Sequence, residues 1–202
     1  MTAEPVHFYF DPACPWAWMA SRWIMEVEQV RDIDVTWRQM SLWALNEDKD
    51  IPEEYREFQE RIHPMSRVLA KAIAEHGDDV AKPLYDALGE RIHHQERKDL
   101  DAVTAEALAE VGLPAELMAA GDDASLDDVL REKKQRVTEL VGDEVGTPTI
   151  TVAGSSFFGP VVSPAPQGEA AGRLWDGCVL VAGTDGFFEL KRTRDRDPIF
   201  HV

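Results

Sequence analysis

The sequence has little cysteine, little positive charge and no long apolar run, and each shortage removes a class of protein. Its two cysteines, Cys14 and Cys178, stand far apart, which excludes a disulfide-rich secreted scaffold. Twenty-one Lys and Arg against 38 Asp and Glu give a net charge of -17, which would repel nucleic acid and anionic lipid. No stretch could span a membrane, and the first ten residues lack the basic and apolar regions of a secretory signal. We therefore expect a cytoplasmic protein without nucleic-acid or membrane partners.

Signatures of bound metals and nucleotides are also missing. The chain contains no phosphate-binding loop, no glycine fingerprint for a dinucleotide and no zinc spacing. His93 and His94 are adjacent, which is not the spacing of two metal ligands on one helix face, and we expect them to be surface or helix-capping groups. The sequence thus predicts no metal, flavin or nicotinamide cofactor.

What is present is an ordinary globular composition, with 44% hydrophobic and 29% charged residues. Near the N-terminus, residues 6–10 (VHFYF) are rich in strand formers and stop at an Asp-Pro pair. Apolar residues then recur at helical spacing over 16–30, and alternate with polar ones over 33–37. This pattern predicts a strand, a helix and a second strand.

The middle of the chain has only helical patterns, from about Pro52 to Gly142. Pro64 predicts a break or kink in the first of these helices. Ser125, with Asp128 three residues later, resembles a capping box at the start of the last one. A block of helices thus interrupts the strand pattern.

Strand patterns return after this block. PTITV and SSFFG flank Ala153-Gly154, which predicts a hairpin, and a final helix is expected over 168–182. The order is β-α-β, helices, then β-β-α. We interpret it as an α/β, thioredoxin-like fold, with one domain formed by 1–51 and 143–202 and a helical insertion domain at 52–142.

The most informative motif is Cys14-Pro15-Trp16-Ala17, at the turn from the first strand into the first helix. A sulfur at a helix N-terminus faces unpaired amides, and such settings lower a thiol pKa from about 8.5 into a range of roughly 3.5–7.5. Pro15 suits the first helical turn. Ala17 occupies the place of a second cysteine, so Cys14 has no neighbour with which to form a disulfide. Cys178 lies on the apolar stripe of the last helix and is expected in the core.

Thr147-Pro148 is the second motif. A proline at the first residue of a strand has no amide to donate, and a cis peptide is tolerated there. In thioredoxin-like folds such a proline lies against the active cysteine and exposes the preceding backbone to a bound thiol compound, so we expect Thr147 and Pro148 to form the thiol-binding site. The ring of Trp16, next to Cys14, could stack on an aromatic substrate.

Ten segments spread over nearly the whole chain carry a family resemblance: FDPACPWAW, VRDIDV, MSLWALNED, PEEYRE, LYDALGERIH, GLPAEL, VGTPTI, FFGPV, LWD and FFELKRTR. In this order they resemble the mycothiol-dependent nitroreductases of the DsbA-like superfamily. The resemblance implies a cytosolic enzyme that uses the small thiol mycothiol as cosubstrate, with substrate contacts from Asn46 and Tyr55. Asn46 is equally a helix cap, and Tyr55 equally a packing residue. The best-studied members carry Cys-Pro-Trp-Cys, so Ala17 is a departure from the family.

Three functions remain open at this stage. The first is a thiol-dependent oxidoreductase, in which the Cys14 thiolate and a low-molecular-weight thiol reduce mixed disulfides or small electrophiles such as nitro compounds. The second is a kappa-class-like glutathione transferase or isomerase, a related branch that uses Ser at the place of Cys14. The third is a non-catalytic thiol-binding protein. The sequence leaves the oligomeric state open, with a homodimer as one option.

Overall fold

The β-sheet is the framework that positions the site. The computed structural model describes residues 2–200, and four strands within them form one sheet in the order β2-β1-β3-β4. The strands are β1 (Glu4–Phe10), β2 (Ile33–Gln39), β3 (Thr149–Val152) and β4 (Ser155–Phe158). β1 is parallel to β2, whereas β3 is antiparallel to β1 and to β4. The predicted strand-helix-strand unit and hairpin are both confirmed.

Helices fill the chain between β2 and β3 and flank the sheet. The α-helices of the described residues are α1 (Pro15–Glu28), α2 (Leu42–Asn46), α3 (Glu53–His76), α4 (Ala81–Gly89), α5 (Leu100–Glu110), α6 (Leu126–Val141) and α7 (Gly168–Ala182). Short 3₁₀ segments and one π-helical turn, Glu90–His94, connect the middle helices. The predicted strand-free block is therefore confirmed, while its separation from the rest as a domain stays a prediction.

The two faces of β1 have different surroundings because its side chains alternate. Val6, Phe8 and Phe10 are fully buried in the main core, together with the inner face of α1. His7 and Tyr9 point to the opposite face and are only partly buried. Each fully buried large apolar side chain contributes roughly 1.5–3 kcal/mol, so this alternation fixes the register of the central strand.

α1 is held in place by the last helix of the chain. The Trp23 indole N–H donates to the Ala171 carbonyl at 3.1 Å, and its ring lies 6.1 Å from that of Trp175. On the other side of the sheet, Tyr9 packs on a small cluster that includes Met40 and Val137 of α6. The strand that leads into the Cys14 turn is thus covered on both faces.

Three local expectations need correction, and one short helix was missed. α3 continues through Pro64, so the helix does not break there, while a kink at this residue stays a prediction. Ser125 does precede α6, but its hydroxyl donates to Asp123 rather than capping the helix, so the capping box is wrong. Cys178 is only partly buried, because α7 covers the core with one face and exposes the other. The short α2 was not predicted. No helix in the part of the chain that the structure describes is long and apolar enough to cross a membrane.

Candidate active site

Cys14 is the N-cap of α1. Its backbone is extended (φ -78°, ψ 111°), and its sulfur accepts a hydrogen bond from the Ala17 N–H at 3.4 Å. Pro15 occupies the first helical position, where an N–H would have no partner inside the helix. The Cys14 N–H donates to the Asp11 carbonyl at 3.0 Å and closes the turn after β1. The sequence therefore places the sulfur at the positive end of the helix, as predicted.

The loop before β3 lies directly against this sulfur. The Thr147-Pro148 peptide is cis, which confirms the prediction. The Cys14 thiol donates to the Thr147 carbonyl at 3.5 Å. The Thr147 side chain also interacts with the sulfur, and its buried hydroxyl has no other hydrogen-bond partner among the described residues. This hydroxyl is placed to donate to a thiolate when the thiol loses its proton.

The protonation of Cys14 differs from the expectation. Burial raises the pKa of the Cys14 thiol above its ordinary value, and only 6% of the residue is exposed. Hydrogen bonds from Thr147 and from the Ala17 N–H lower this pKa, but the loss of solvation outweighs them. The predicted low pKa is therefore wrong.

Asp11 is a buried carboxylate beneath the turn, and sequence reasoning passed over it. One oxygen accepts from the Ala13 N–H at 2.9 Å and the other from the Leu42 N–H at 2.8 Å, so it joins the Cys14 turn to α2. Burial raises the pKa of Asp11 to about 6, although both hydrogen bonds lower it. Its negative charge also raises the pKa of Cys14. In the sequence, the Asp11-Pro12 pair at the end of a strand indicates only a turn.

A cavity of about 290 Å³, which we call the thiol cavity, opens beside Cys14. It is lined by the Cys14 turn, α2 and the first turns of α3, through Ala13, Cys14, Pro15, Trp16, Leu42, Tyr55, Phe58, Gln59 and Ile62. Most of these side chains are apolar or aromatic, and the Tyr55 and Phe58 rings are stacked with centroids 6.5 Å apart. The arrangement suits a small flat molecule held next to the sulfur.

Tyr55 and Gln59 supply the polar groups of this cavity from one face of α3. Burial raises the pKa of Tyr55 to about 12, and the electrostatic interactions with the Asp11 carboxylate and the Cys14 sulfur add to this effect. Gln59 interacts with the Tyr55 hydroxyl and is 2% exposed, yet its amide oxygen has no hydrogen-bond partner among the described residues. Gln59 was missed from the sequence, although it stands one turn after Tyr55.

Of the other two predicted substrate contacts, Trp16 and Asn46, only Trp16 is among the residues that line the thiol cavity. Trp16 lines the thiol cavity, and the Arg194 guanidinium lies 5.4 Å from the centre of its ring. Asn46 is not among the residues that line the cavity, and its amide donates to the Leu42 carbonyl at 2.8 Å within α2. Its local role is thus that of a residue at a helix end, and contact with substrate stays a prediction.

The two histidines are not surface groups. His93 is buried, and its Nε2 lies 3.1 Å from the Pro12 carbonyl, so it supports the active turn from below. The Trp18 indole N–H donates to His94 Nε2 at 3.0 Å. Burial lowers the pKa of His93 to about 4. The π-helical turn over Glu90–His94 presents both rings to α1, and the sequence pattern carried no signal for it.

Two comparisons with known proteins give matches over most of this chain. The family described as Rv2466c-like, mycothiol-dependent nitroreductase Rv2466c, matches residues 13–192. The uncharacterized protein Rv2286c of Mycobacterium tuberculosis is 34% identical over 197 residues, covering 94% of this chain and 82% of that protein.

Solved structures show the same fold at low identity. A probable DsbA oxidoreductase, SCO1869 of Streptomyces coelicolor, is similar with a TM-score of 0.61 at 17% identity, over 98% of this chain and 94% of that one. The cytosolic disulfide reductase DsbM of Pseudomonas aeruginosa, solved with GSH, gives 0.54 at 14% identity, over 87% and 99%. The predicted DsbA-like, thioredoxin-type α/β fold is confirmed. Through its match over residues 13–192, the chain belongs to the family of the mycothiol-dependent nitroreductase Rv2466c.

Proposed function

We propose that this protein is a monothiol oxidoreductase of the cytoplasm, in which Cys14 works with a small thiol, mycothiol, on mixed disulfides or small aromatic electrophiles. The observation that carries the proposal is the position of Cys14. It is the one thiol that lines the thiol cavity, at a helix N-terminus and beside Thr147. Membership of a mycothiol-dependent family supports thiol-dependent redox chemistry.

The proposed exchange needs one protein sulfur only. The Cys14 thiol loses its proton, and the thiolate attacks a disulfide RS–SR′, so that a Cys14–S–S–R bond forms and R′S⁻ leaves and takes up a proton. A second thiol RSH, as thiolate, then attacks the bound R sulfur, which releases RSSR and restores Cys14. With Ala17 buried next to Cys14 in place of a second thiol, this second molecule is the only route of release.

For a nitro compound, the small thiol supplies the electrons. Two thiols are oxidised to one disulfide and give two electrons and two protons, which reduce the nitro group to a nitroso group and water. The rings of Trp16, Tyr55 and Phe58 supply a surface on which an aromatic nitro compound can stack. The first two thiols are Cys14 and one mycothiol, which become a mixed disulfide as the nitro group is reduced to nitroso and water. A second mycothiol then attacks the bound mycothiol sulfur, restores Cys14 and leaves as oxidised mycothiol.

Intact mass spectrometry tests the covalent step. After incubation with oxidised mycothiol, the wild-type protein should gain the mass of one mycothiol on Cys14, and excess thiol should remove it. Cys178 is the internal control, because burial raises its pKa to about 11 and it lines no part of the thiol cavity. Modification of Cys178 in place of Cys14 would contradict the proposal.

Ala17→Cys tests the reason for the monothiol mechanism. Residues one helical turn apart have Cβ atoms about 5–6 Å from one another, and a small adjustment brings two sulfurs within bonding distance. We expect an oxidised variant with an internal disulfide and no bound small thiol, measured by intact mass and free-thiol count. Ala20→Cys, at another buried position of α1, is the control and should keep the small-thiol adduct. An Ala17→Cys protein that stays reduced while Cys14 is modified would show that the turn lacks redox geometry.

A further inference from the structure

A second cavity, also of about 290 Å³, lies away from Cys14 and has no part in the proposed chemistry. It is bounded by β1, β2, α3 and α6 and shares no lining residue with the thiol cavity. Ile62 lines the first cavity and Ile73 the second, and eleven residues of α3 span about 16 Å. We call this second site the basic cavity.

The basic cavity gathers positive charge in a chain whose net charge is -17. Arg38, Lys133 and Arg136 line it, against the single carboxylate of Asp78. Arg38 is paired with Asp78, whereas Lys133 and Arg136 form no ion pair with any carboxylate of residues 2–200. Burial lowers the pKa of Lys133, the neighbouring Arg136 lowers it further, and the charge of Asp78 raises it. Asp78 supplies one negative charge against the three cations of the cavity, and a bound anion would balance the other two.

The basic cavity also has a buried side-chain amide, that of Gln39, among its lining residues. Gln39 is 3% exposed and lines the cavity. Its amide nitrogen donates to the Ser66 carbonyl at 2.9 Å, but its oxygen has no hydrogen-bond partner among the described residues. A buried acceptor without a partner costs about 1–3 kcal/mol, and a hydroxyl donor from a ligand would satisfy it.

The remaining wall is aromatic. The Tyr9 and His7 rings are stacked with centroids 6.5 Å apart and form this side of the cavity. Flat aromatic faces of this kind pack against the C–H face of a sugar ring. The cavity therefore combines two cations that form no ion pair with residues 2–200, one acceptor for a hydroxyl and an aromatic wall.

We propose that the basic cavity binds a small phosphorylated sugar or polyol, with the phosphate on Lys133 and Arg136 and a hydroxyl on Gln39. The overall field of an acidic protein repels such an anion, so saturable binding has to come from this local cluster. The site is independent of Cys14, and the binding of a ligand there does not require the thiol chemistry to be correct.

Isothermal titration calorimetry with glucose 6-phosphate tests this site. We expect saturable one-to-one binding to the wild-type protein, weaker binding of inorganic phosphate, and none of uncharged glucose. Lys133→Gln and Arg136→Gln should each weaken the binding of glucose 6-phosphate by roughly tenfold or more, since a charge-assisted hydrogen bond is lost. Lys134→Gln, which removes the same charge from the same helix outside the cavity, should leave it unchanged.

Amide chemical-shift mapping on the wild-type protein gives a test that does not depend on the folding of a variant. Glucose 6-phosphate should shift the amides of Tyr9, Arg38 and Lys133, and leave those of the thiol cavity in place. Absent or non-saturable binding would overturn the proposal, as would an equal loss with Lys134→Gln. Binding of inorganic phosphate as tight as that of glucose 6-phosphate would overturn the role of Gln39.

Discussion

The thiol cavity and the basic cavity have the same volume, about 290 Å³, and both receive residues from α3, yet they differ in charge. The first is lined by aromatic and apolar side chains around one sulfur. The second is lined by cations around a buried amide. α3 contributes four lining residues to the first cavity and one to the second, whose three cations come from β2 and α6.

The two cavities place the reactive thiol and the cluster of cations at different positions along α3. At the thiol cavity, burial of Cys14 and the negative charge of Asp11 both favour the neutral thiol. At the basic cavity, charges remain because α6 places Lys133 and Arg136 at its edge. A neutral aromatic electrophile suits the first site and an anion the second. Substitutions can therefore be chosen that affect one cavity and not the other.

The largest expected effect is the loss of all thiol chemistry in Cys14→Ser. A serine hydroxyl cannot form a disulfide, so the small-thiol adduct and thiol-dependent turnover should fall to background. The same variant should bind glucose 6-phosphate as the wild type does. Conversely, Lys133→Gln should keep the rate of adduct formation at Cys14. Loss of both functions in either variant would mean that the two cavities are not independent.

The next largest effect is on the pH dependence of the free energy of unfolding, which His93 and Asp11 near the Cys14 turn both influence. His93 has an ordinary pKa of 6.5 and one of about 4 in the fold, so its contribution to stability is complete above pH 6.5 and is lost as the pH falls to 4. Asp11 has an ordinary pKa of 3.8 and one of about 6 in the fold, so its contribution is complete below 3.8 and is lost as the pH rises through 6. Each shift corresponds to about 3 kcal/mol, and the two run in opposite directions.

Substituting one of the two groups should leave the pH dependence of the unfolding free energy that comes from the other. Relative to wild type, the unfolding free energy of His93→Gln should rise by about 3 kcal/mol as the pH falls from 6.5 to 4. That of Asp11→Asn should fall by about as much between pH 6 and 3.8. Urea unfolding across this range measures both, with His76→Gln, at the exposed end of α3, as the control for loss of a histidine. Differences of the same sign in the two variants would refute this account.

The smallest expected effect is on kcat/KM, from substitution of Gln59, whose buried amide oxygen has no hydrogen-bond partner among the described residues. If its free amide oxygen accepts a hydrogen bond from the small thiol or the electrophile, Gln59→Leu should lower kcat/KM by roughly three- to tenfold. The free energy of unfolding should not fall, because the variant removes a buried acceptor without a partner. Gln135→Leu, at an exposed position of α6, is the matched control. A loss of stability with unchanged kinetics would make Gln59 a packing residue.

Much of the fold was predictable because local patterns and global fold agree. The strand formers over 6–10, the helical spacing after Trp16 and the Ala153-Gly154 turn each favour one local structure, and the fold contains all three. Thr147-Pro148 and Cys14 were placed together because the order of elements brings the end of β1 beside the start of β3. The family resemblance then added Tyr55, which does line the thiol cavity.

The sequence by itself determined the order of the elements, the helix N-terminus at Cys14 and the lack of a second thiol at Ala17, since these depend on neighbours along the chain. Only the tertiary structure decided how far Cys14 is buried, and burial reversed the expected direction of its pKa. The same holds for Asp11, Gln59 and His93, whose properties come from chain segments distant in sequence that exclude water from them. Desolvation is set by everything that packs around a group, and no local pattern records it.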